Sequence, residues 1–293
     1  MPNGRGSSLK SLNEWPAEQR RNIIGVFTDI DDTLTTHGAI TPDALQALAN
    51  LKVAGLHVIP ITGRPVGWAE RLAARLPVDA IVVENGAVAL KMAESEVLSA
   101  DFAQKTPQIG IQPAYLLPRV LSKLYQQDAA TRADNLACMA HIAQQVLAQV
   151  PTAVLSRDHA GRETDLAFDY QEFENLPPET VQAILAVLQK AGMQTTVSSI
   201  HIHGCFGQFD KWTGAQWIVR ELFQRELVQQ LDRWVFVGDS GNDQAMFQHF
   251  THSVGVANIR KFESQLTHLP HYITSSERGA GFAEVAMAIL RAK

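Results

Sequence analysis

The sequence has 293 residues, 46% of them hydrophobic, and a formal net charge of −5 at pH 7. This size and apolar content are sufficient for a large core in one or two domains. Acidic and basic residues are interspersed, which argues against a nucleic-acid-binding surface, and no apolar run is long enough to span a membrane. Cys138 and Cys205 lie far apart without a metal-binding pattern, so we expect free thiols and a cytoplasmic protein.

The chain up to Arg21 is polar and begins with several glycine and serine residues. It contains no apolar segment of the kind that a signal peptide needs. We therefore expect residues 1–21 to form a flexible N-terminal tail.

Residues 22–86 show the alternation of strands and helices that is typical of a parallel, doubly wound α/β sheet. The predicted elements, in chain order, are an apolar strand over 23–27, a helix from Pro42 to about Gly55 with Thr41 as N-cap, a strand over 57–61, a helix that includes Trp68 and Leu72, and a strand over 80–83. An Asn-Gly turn at Asn85 and Gly86 ends the third strand.

The pattern changes between residues 87 and 204, where hairpin-like pieces, helices and short alternating strands replace the regular strand–helix units. We predict an α+β domain inserted into the sheet domain. The regular pattern resumes after Lys211 with a helix, strands over 234–237 and 253–256, and a C-terminal helix over 283–290. The predicted core therefore comprises residues 22–86 and 205–293, and the insertion comprises residues 87–204.

Two pairs of acidic residues follow apolar strands. Asp29 and Asp31 come after the first strand, and residues two apart in an extended segment point to the same side. They can therefore supply a nucleophile and a general acid or base at a fixed separation. Asp239 and Asp243 follow the strand over 234–237, and if the two strands are neighbours, the four carboxylates meet at one sheet edge and need a hard cation such as Mg²⁺. A solvated acidic loop and a turn with helix-capping acids are the alternatives for each pair taken alone.

Phosphate-binding groups are predicted at two further places. Thr62, Gly63 and Arg64 follow the second strand, and a hydroxyl with backbone N–H groups at a helix start can hold phosphate oxygens. Lys211 opens a helix, where its charge opposes the helix dipole unless an anion lies nearby. A plain turn and a surface lysine are the alternatives. However, three strands that each end in groups suited to phosphate or Mg²⁺, in this order, favour a phosphoryl-transfer site.

Together these motifs resemble those of the haloacid dehalogenase superfamily of aspartate-nucleophile phosphatases. The matching segments are Asp29-Ile30-Asp31-Asp32-Thr33, Thr62-Gly63-Arg64, Lys211, and Gly238-Asp239-Ser240-Gly241-Asn242-Asp243. The long insertion and the segment over 84–87 resemble the class with a large α/β cap (type IIB). The last motif is similar to that of sucrose-phosphate and mannosyl-phosphoglycerate phosphatases. The resemblance implies a doubly wound parallel-sheet core with an inserted α+β cap domain that selects the substrate.

The resemblance also implies roles for single residues. Asp29 forms an aspartyl-phosphate, and Asp31 acts first as general acid and then as general base. Mg²⁺ is held by the Asp29 carboxylate, the Asp31 carbonyl and Asp239, with Asp243 in support. The expected phosphate-binding residues are Thr62, Gly63, Arg64, Lys211 and Asn242. The implied substrate is a small phosphorylated molecule, a sugar phosphate or a phosphorylated glycoside.

Asp32 departs from the family pattern, because many members have Gly or Asn at this position. It adds negative charge beside the expected metal and puts the metal affinity in doubt. In the insertion, the polar residues that could contact the substrate are Arg157, Arg162, His201 and His203, with Arg162 as the foremost candidate.

Two other functions remain open at the level of sequence. A phosphohexomutase of the phosphomannomutase type shares this cap class and a similar first motif, although the compact loop over 238–243 favours a phosphatase. A phosphorylatable receiver module also combines Asp, Thr, Lys and Mg²⁺, but its acceptor Asp comes later in the chain and no large insertion is expected. Release of free phosphate over many turnovers separates a phosphatase from both.

Overall fold

The computed structural model describes residues 9–73, 75–93 and 120–293. Residues 1–8 of the predicted tail and residues 94–119 of the predicted insertion lie outside the described residues. The strands are β1 Lys10–Ser11, β2 Gly25–Thr28, β3 Thr35–Thr36, β4 Ala39–Ile40, β5 His57–Pro60, β6 Ala80–Val83, β7 Val88–Ala93, β8 Val120–Tyr125, β9 Asp165–Asp169, β10 Gln194–Val197, β11 His201–Cys205, β12 Trp234–Gly238, β13 His252–Gly255 and β14 Tyr272–Ile273. The helices are α1 Ala17–Arg21, α2 Pro42–Val53, α3 Val66–Ala73, α4 Ala129–Gln149, α5 Pro178–Lys190, α6 Lys211–Phe223, α7 Gln244–His249 and α8 Arg278–Leu290.

Two compact units make up the chain. One is formed by the residues up to Leu56 together with Val228–Lys293, and the other is His57–Leu227. The second unit extends beyond the predicted insertion on both sides, and the domain limits at residues 87 and 204 stay predictions. Within the described ranges, no helix combines the length and the apolar character needed to cross a membrane.

The first unit is built on parallel strands in the order β1-β14-β13-β12-β2. β2 and β12 lie side by side, with Val26 opposite Val235 and Phe27 opposite Phe236. Every residue of these two strands is buried. This is the parallel α/β sheet predicted from the apolar runs, and it brings the ends of two strands that are distant in sequence to one edge.

The N-terminal segment is part of the first unit. β1 pairs with β14, and Trp15 is fully buried, with its ring centroid 5.7 Å from that of Tyr272 and 5.3 Å from that of His252. Arg20 of α1 donates to the carbonyl of Ala288 at 2.9 Å. The prediction of a flexible tail is therefore wrong for residues 10–21, because burial of Leu12 and Trp15 anchors a largely polar segment.

Helix α2 begins where the sequence predicts. Thr41 occupies the N-cap position and Pro42 is the first helical residue, but the Thr41 side chain makes no capping hydrogen bond. Leu48 and Leu51 are buried, and the helix packs against α8. The fixed backbone of Pro42 thus starts the helix without help from the Thr41 hydroxyl.

The second unit contains an antiparallel sheet in the order β10-β11-β9, against which α4 and α5 pack. Its core includes apolar side chains from α4, α5, β9 and β11, and Met193 just before β10: Met139, Val146, Phe168, Ile184, Leu188, Met193 and Ile202. Leu136 of α4 lies outside this core and is 48% exposed. The architecture is the α+β type expected for the insertion.

Strand β6 lies parallel beside the end of β5, as predicted, and it also has an antiparallel neighbour. It pairs antiparallel with β7, which pairs antiparallel with β8, while a parallel bridge joins Ile61 to Val82. The turn between β6 and β7 uses left-handed backbone, with φ of 52° at Asn85 and 111° at Gly86. The parallel neighbour is the one that the sequence predicts, and the antiparallel neighbour is added because the Asn-Gly turn returns the chain beside β6.

Candidate active site

Asp29 lies at the carboxyl end of β2. Its backbone N–H donates to the carbonyl of Val237 on β12 at 2.8 Å, so the pairing of the two strands extends to this residue. Asp29 is only 4% exposed. A carboxylate in this position has lost most of its hydration, which is unfavourable unless a cation or a reacting group compensates.

Asp239 and Asp243 lie in the turn that follows β12. Asp243 Oδ2 accepts the backbone N–H of Asp239 at 2.8 Å and that of Ser240 at 3.0 Å, in a capping box at the start of a short 3₁₀ helix. Gly238 makes room for this carboxylate, because a Cβ atom there would lie 2.5 Å from Asp243 Oδ2. The turn is therefore built around the Asp243 carboxylate.

The structure brings the carboxylates of Asp29, Asp239 and Asp243 together, with one oxygen of each within 4.8 Å of the others. All three residues are buried. Carboxylates at this spacing repel one another when ionised, and oxygen donors of this kind suit a hard divalent cation. The donor set therefore fits the Mg²⁺ expected from the sequence. Asp31 is half-buried, and its roles as metal ligand and general acid stay predictions.

Neutral donors and one cation surround this cluster. Thr33 Oγ1 donates to Asp239 Oδ1 at 3.4 Å, and Asn258 Nδ2 donates to Asp239 Oδ2 at 2.9 Å. Arg278 Nε lies 2.8 Å from Asp32 Oδ1, within ion-pair distance although not aligned as a hydrogen bond. The Arg278 guanidinium thus offsets the charge that Asp32 adds relative to the family pattern.

In the second unit, Thr62 and the Glu84–Gly86 turn are joined by backbone hydrogen bonds. Asn85 N–H donates to the Thr62 carbonyl at 3.0 Å, and Glu84 N–H donates to the Arg64 carbonyl at 3.0 Å. Thr62 is fully buried, and its Oγ1 accepts the Arg64 N–H at 3.1 Å. A hydroxyl that accepts at its oxygen can still donate its hydrogen, as the phosphate-binding prediction requires.

Lys211 is the first residue of α6 and is fully buried. The helix start that carries it packs against the same turn: a Cβ atom on Gly86 would overlap the Asp210 carbonyl, and one on Gly214 would lie 2.5 Å from the Gly86 Cα. The turn that bonds to Thr62 thus also contacts the helix that Lys211 begins. Burial rules out the alternative of a surface lysine.

Arg64 is 8% exposed and its guanidinium is bound to acidic side chains. Nη2 lies 2.7 Å from Glu172 Oε1, Nη1 lies 3.4 Å from Asp158 Oδ2, and the group sits 5.2 Å from the centre of the Trp68 ring. Burial opposes ionisation of Glu172, but the hydrogen bond from His201 and the charge of Arg64 hold its pKa below the ordinary value. The alternative of a solvent-facing Arg64 is wrong, and phosphate contact by its side chain stays a prediction.

Arg162 lies inside the second unit rather than at its surface. Its Nη1 donates to both oxygens of Asp165 at 2.8 and 3.0 Å and to the Gly63 carbonyl at 3.0 Å, and its Nη2 donates to Asp158 at 3.2 Å. Burial opposes ionisation of Asp158, but the Arg162 cation, the hydrogen bond from Ser156 and further positive charge nearby together outweigh it and lower the pKa to about 2. The expectation that Arg162 faces the substrate is wrong, because its N–H groups bond to neighbouring protein atoms.

The other insertion candidates fall into two groups. His201 and His203 are buried, and the His201 Nε2 lies 2.9 Å from Glu172 Oε2. Burial lowers the pKa of His203 to about 4, so this imidazole is neutral at physiological pH. Arg157 is exposed, with its guanidinium carbon 3.6 Å from the centre of the Phe173 ring.

Glu84 is a buried carboxyl to which the sequence analysis assigned no role. It accepts the backbone N–H groups of Val66 at 3.1 Å, Glu163 at 3.0 Å and Thr164 at 2.6 Å, and also the Thr164 hydroxyl. Burial, and next the negative charge of Asp165, raise its pKa to about 7. Glu84 therefore ties the start of α3 to the residues just before β9.

A family model for haloacid dehalogenase-like hydrolases matches residues 26–285. The chain belongs to this family. The match confirms the resemblance inferred from the four motifs, and with it the predicted class of enzyme, a haloacid dehalogenase-like hydrolase. It spans both units described above.

Solved structures that cover nearly the whole hydrolase have a similar fold. The Thermoplasma acidophilum protein 0175 has a TM-score of 0.63 at 16% identity, over 92% of this chain and 98% of that one. The sucrose-phosphatase of Synechocystis sp. PCC6803, solved with sucrose and phosphate, has a TM-score of 0.61 at 16% identity, over 92% and 98%. The C-terminal domain of C. albicans trehalose-6-phosphate phosphatase has a TM-score of 0.60 at 12% identity, over 96% and 98%. No curated protein matches the sequence significantly.

Asn258 and Glu84 of this hydrolase were not predicted as site residues. A sequence pattern that could have identified the residue is present for Asn258 and absent for Glu84. Asn258 follows β13, whose pairing with β12 continues through the bond from Val256 N–H to the Gly238 carbonyl at 3.1 Å. The rule that identified Asp239, a polar residue after a parallel strand, could have found it. Glu84 carries no such signal, because its partners come from residues 163 and 164, and only the folded chain brings these segments together.

Proposed function

We propose that this hydrolase is a Mg²⁺-dependent phosphatase that acts on a small sugar phosphate or phosphorylated glycoside through an aspartyl-phosphate on Asp29. The observation that carries the proposal is the cluster of Asp29, Asp239 and Asp243 carboxylates at the ends of two paired parallel strands. Family membership supports the reaction class. The sucrose-phosphatase and the trehalose-6-phosphate phosphatase of similar fold support the substrate class.

The proposed reaction has two displacements at phosphorus. In the first, an Asp29 oxygen attacks phosphorus while the bond to the leaving oxygen breaks, and Asp31 gives its proton to that oxygen. In the second, Asp31 takes a proton from water, the water oxygen attacks phosphorus, and the bond to Asp29 breaks to release inorganic phosphate. Asp29, Asp239 and Asp243 would hold Mg²⁺, which supplies positive charge beside the phosphoryl group when bound.

The proposed phosphate contacts come from the loop after β5 and from the start of α6. The Thr62 hydroxyl, the Gly63 N–H and the Lys211 ammonium would neutralise the transferring phosphoryl group. Burial of Lys211 supports this role, because a buried ammonium requires a nearby negative charge. Arg64, whose N–H is bonded to Thr62 Oγ1, would fix that hydroxyl, and the Asn242 amide would donate a further hydrogen bond.

The full chain can be tested on p-nitrophenyl phosphate, hexose phosphates, sucrose phosphate and trehalose 6-phosphate, with release of inorganic phosphate as the readout. We expect many turnovers with Mg²⁺, loss of activity with EDTA and recovery when Mg²⁺ is restored. A sugar phosphate should have the highest kcat/KM. Full activity after exhaustive chelation, or no release from any ester, contradicts the proposal.

The same assay separates the alternative functions. Interconversion of hexose 1-phosphate and 6-phosphate without phosphate release would indicate a mutase. A stable phosphoprotein formed once per chain, with no further turnover, would indicate a receiver-like module.

A further inference from the structure

The side chain of Asn258 is buried beside the carboxylate cluster of the first unit. It lies just after β13 in the short 3₁₀ helix Ala257–Lys261 and is 3% exposed. Its Nδ2 donates to Asp239 Oδ2 at 2.9 Å and to the Asp32 carbonyl at 3.0 Å. Its Oδ1 accepts the Arg278 backbone N–H at 3.0 Å.

These partners define the orientation of the Asn258 amide. Two acceptors face the nitrogen and a backbone donor faces the oxygen, so the flipped amide would place donor against donor and acceptor against acceptor. Both amide hydrogens and the carbonyl oxygen are therefore used. An amide held in this way can in turn fix the Asp239 carboxylate that it contacts.

Asp239 is held at both oxygens by neutral groups. Asn258 reaches Oδ2, and the Thr33 hydroxyl reaches Oδ1 at 3.4 Å. Neutral donors restrict rotation of the Asp239 carboxylate but leave its negative charge in place. A bound cation needs that negative charge. The cation in this neighbourhood, Arg278, is instead directed at Asp32, with 2.8 Å between Nε and Oδ1.

We propose that Asn258 is a positioning residue for the divalent cation, which fixes the Asp239 carboxylate in the orientation that binds the metal. The inference rests on the proposed function, because it assigns the carboxylate cluster to Mg²⁺. Residues that orient metal ligands typically contribute about 10–100-fold to metal affinity. Removal of the Asn258 amide should lower Mg²⁺ affinity by a factor in this range.

The test is Mg²⁺ binding by the full chain, without substrate. Isothermal titration calorimetry gives the Mg²⁺ Kd of the wild type, of Asn258→Ala and of Asn258→Ser, and the second variant serves if the first does not fold. Thermal unfolding in EDTA and in excess Mg²⁺ gives a second readout. We expect the Kd to rise by about 10–100-fold and the Mg²⁺-induced rise in Tm to shrink accordingly. A general loss of stability would lower both Tm values and leave their difference unchanged.

Arg278→Ala is the matched control. It removes the side chain that pairs with Asp32 but keeps the backbone N–H that Asn258 accepts, so Mg²⁺ affinity should not fall. An unchanged Kd in both Asn258 variants overturns the inference and leaves the proposed function standing. Absence of Mg²⁺ binding by the wild type overturns the metal assignment of the proposed function itself.

Discussion

Arg162 donates a hydrogen bond from Nη1 to the backbone carbonyl of Gly63 at 3.0 Å. The loop that contains Thr62 is therefore held by a residue about 100 positions further along the chain. The ring of His203 packs on the same glycine, since a Cβ atom at Gly63 would lie 2.9 Å from His203 Nε2. His203 Nδ1 lies 2.9 Å from Asp165 Oδ2, which also binds Arg162. Two side chains joined through one carboxylate thus support the proposed phosphate-binding loop.

Arg162→Ala should therefore reduce activity on every phosphate ester. The variant leaves the Gly63 carbonyl without this donor and leaves the buried Asp165 carboxylate without its guanidinium partner, a loss that typically costs about 3–5 kcal/mol. We expect comparable falls in kcat/KM for a sugar phosphate and for p-nitrophenyl phosphate, together with a lower free energy of unfolding in urea. A fall confined to the sugar phosphate would instead place Arg162 in contact with the sugar.

Arg157→Ala is the control for Arg162. Arg157 is exposed and stacks on Phe173 at 3.6 Å, and its loss should change the free energy of unfolding by less than about 1 kcal/mol. Activity on p-nitrophenyl phosphate should be retained.

Asp29→Asn should abolish turnover and preserve the fold. The amide keeps the shape of the carboxylate but is a far poorer nucleophile, and the strand pairing at this residue uses the backbone N–H bond to Val237 at 2.8 Å. We expect kcat to fall by at least about 10³-fold. In EDTA the Tm of the variant should equal or exceed that of the wild type, because one of three mutually repelling buried carboxylates has been removed. Wild-type phosphate release by a sequence-verified preparation would exclude Asp29 as the nucleophile.

Gly238→Ala should weaken Mg²⁺ binding by about tenfold or more. A Cβ atom at this position would lie 2.5 Å from Asp243 Oδ2 and 2.8 Å from the Phe236 ring, so the Asp243 carboxylate must move away from the N–H groups that hold it. Gly214→Ala is a matched change in the other unit, where the Cβ would lie 2.5 Å from the Gly86 Cα. We expect Gly214→Ala to weaken inhibition by inorganic phosphate and to leave the Mg²⁺ Kd unchanged. Equal Mg²⁺ affinity in Gly238→Ala and wild type would contradict the placement of Asp243.

Glu84 should make the stability of the fold depend on pH. Its pKa rises from the ordinary 4.5 to about 7 in the folded protein, so the folded state holds this proton more tightly than the unfolded chain. The resulting stabilisation is complete below pH 4.5 and is lost as the pH rises through 7. The amide in Glu84→Gln cannot ionise, so the stability of this variant does not fall as the pH rises through 7. Between pH 5 and pH 8 the wild type should therefore lose about 2–3 kcal/mol relative to the variant.

Urea unfolding of both proteins at the two pH values measures this difference. The titration of His203 occurs in both and cancels in the comparison. A stability difference that does not change with pH would show that Glu84 stays ionised throughout this range.

The carboxylate cluster could be predicted from the sequence because its geometry follows from a general rule. Parallel strands end at the same edge of a sheet. The proximity of Asp29 and Asp239 could therefore be predicted once the two apolar strands before them were assigned as neighbours. The proline at position 42 gave the start of α2, and the apolar run gave the strand over 80–83, although not its antiparallel pairing with β7. A fully buried strand has no polar face to indicate which partners lie beside it.

The remaining errors concern side chains whose surroundings come from distant segments. The sequence indicates a polar surface residue at Arg162. Its side chain is buried because the folded chain places Asp158, Asp165 and the Gly63 carbonyl within hydrogen-bond distance of its guanidinium. Leu12 and Trp15 are isolated apolar residues in a polar stretch, and their burial depends on β14 offering an edge for β1. The edge offered by β14 and the Gly63 carbonyl both lie far along the chain from the residue that they contact, where hydrophobic periodicity gives no information.

The two strands that present the proposed catalytic carboxylates are synthesised at very different times. Thr33 and Asp239 form a hydrogen bond across 206 positions of sequence. At about 5–20 residues added per second, β2 is translated roughly 10–40 seconds before Asp239 exists. During that interval the apolar strand β2 lacks its β12 partner and is exposed to aggregation. A nascent chain shorter than this contains the proposed nucleophile Asp29 but lacks Asp239 and Asp243, so we expect no hydrolytic activity before these two residues have been synthesised.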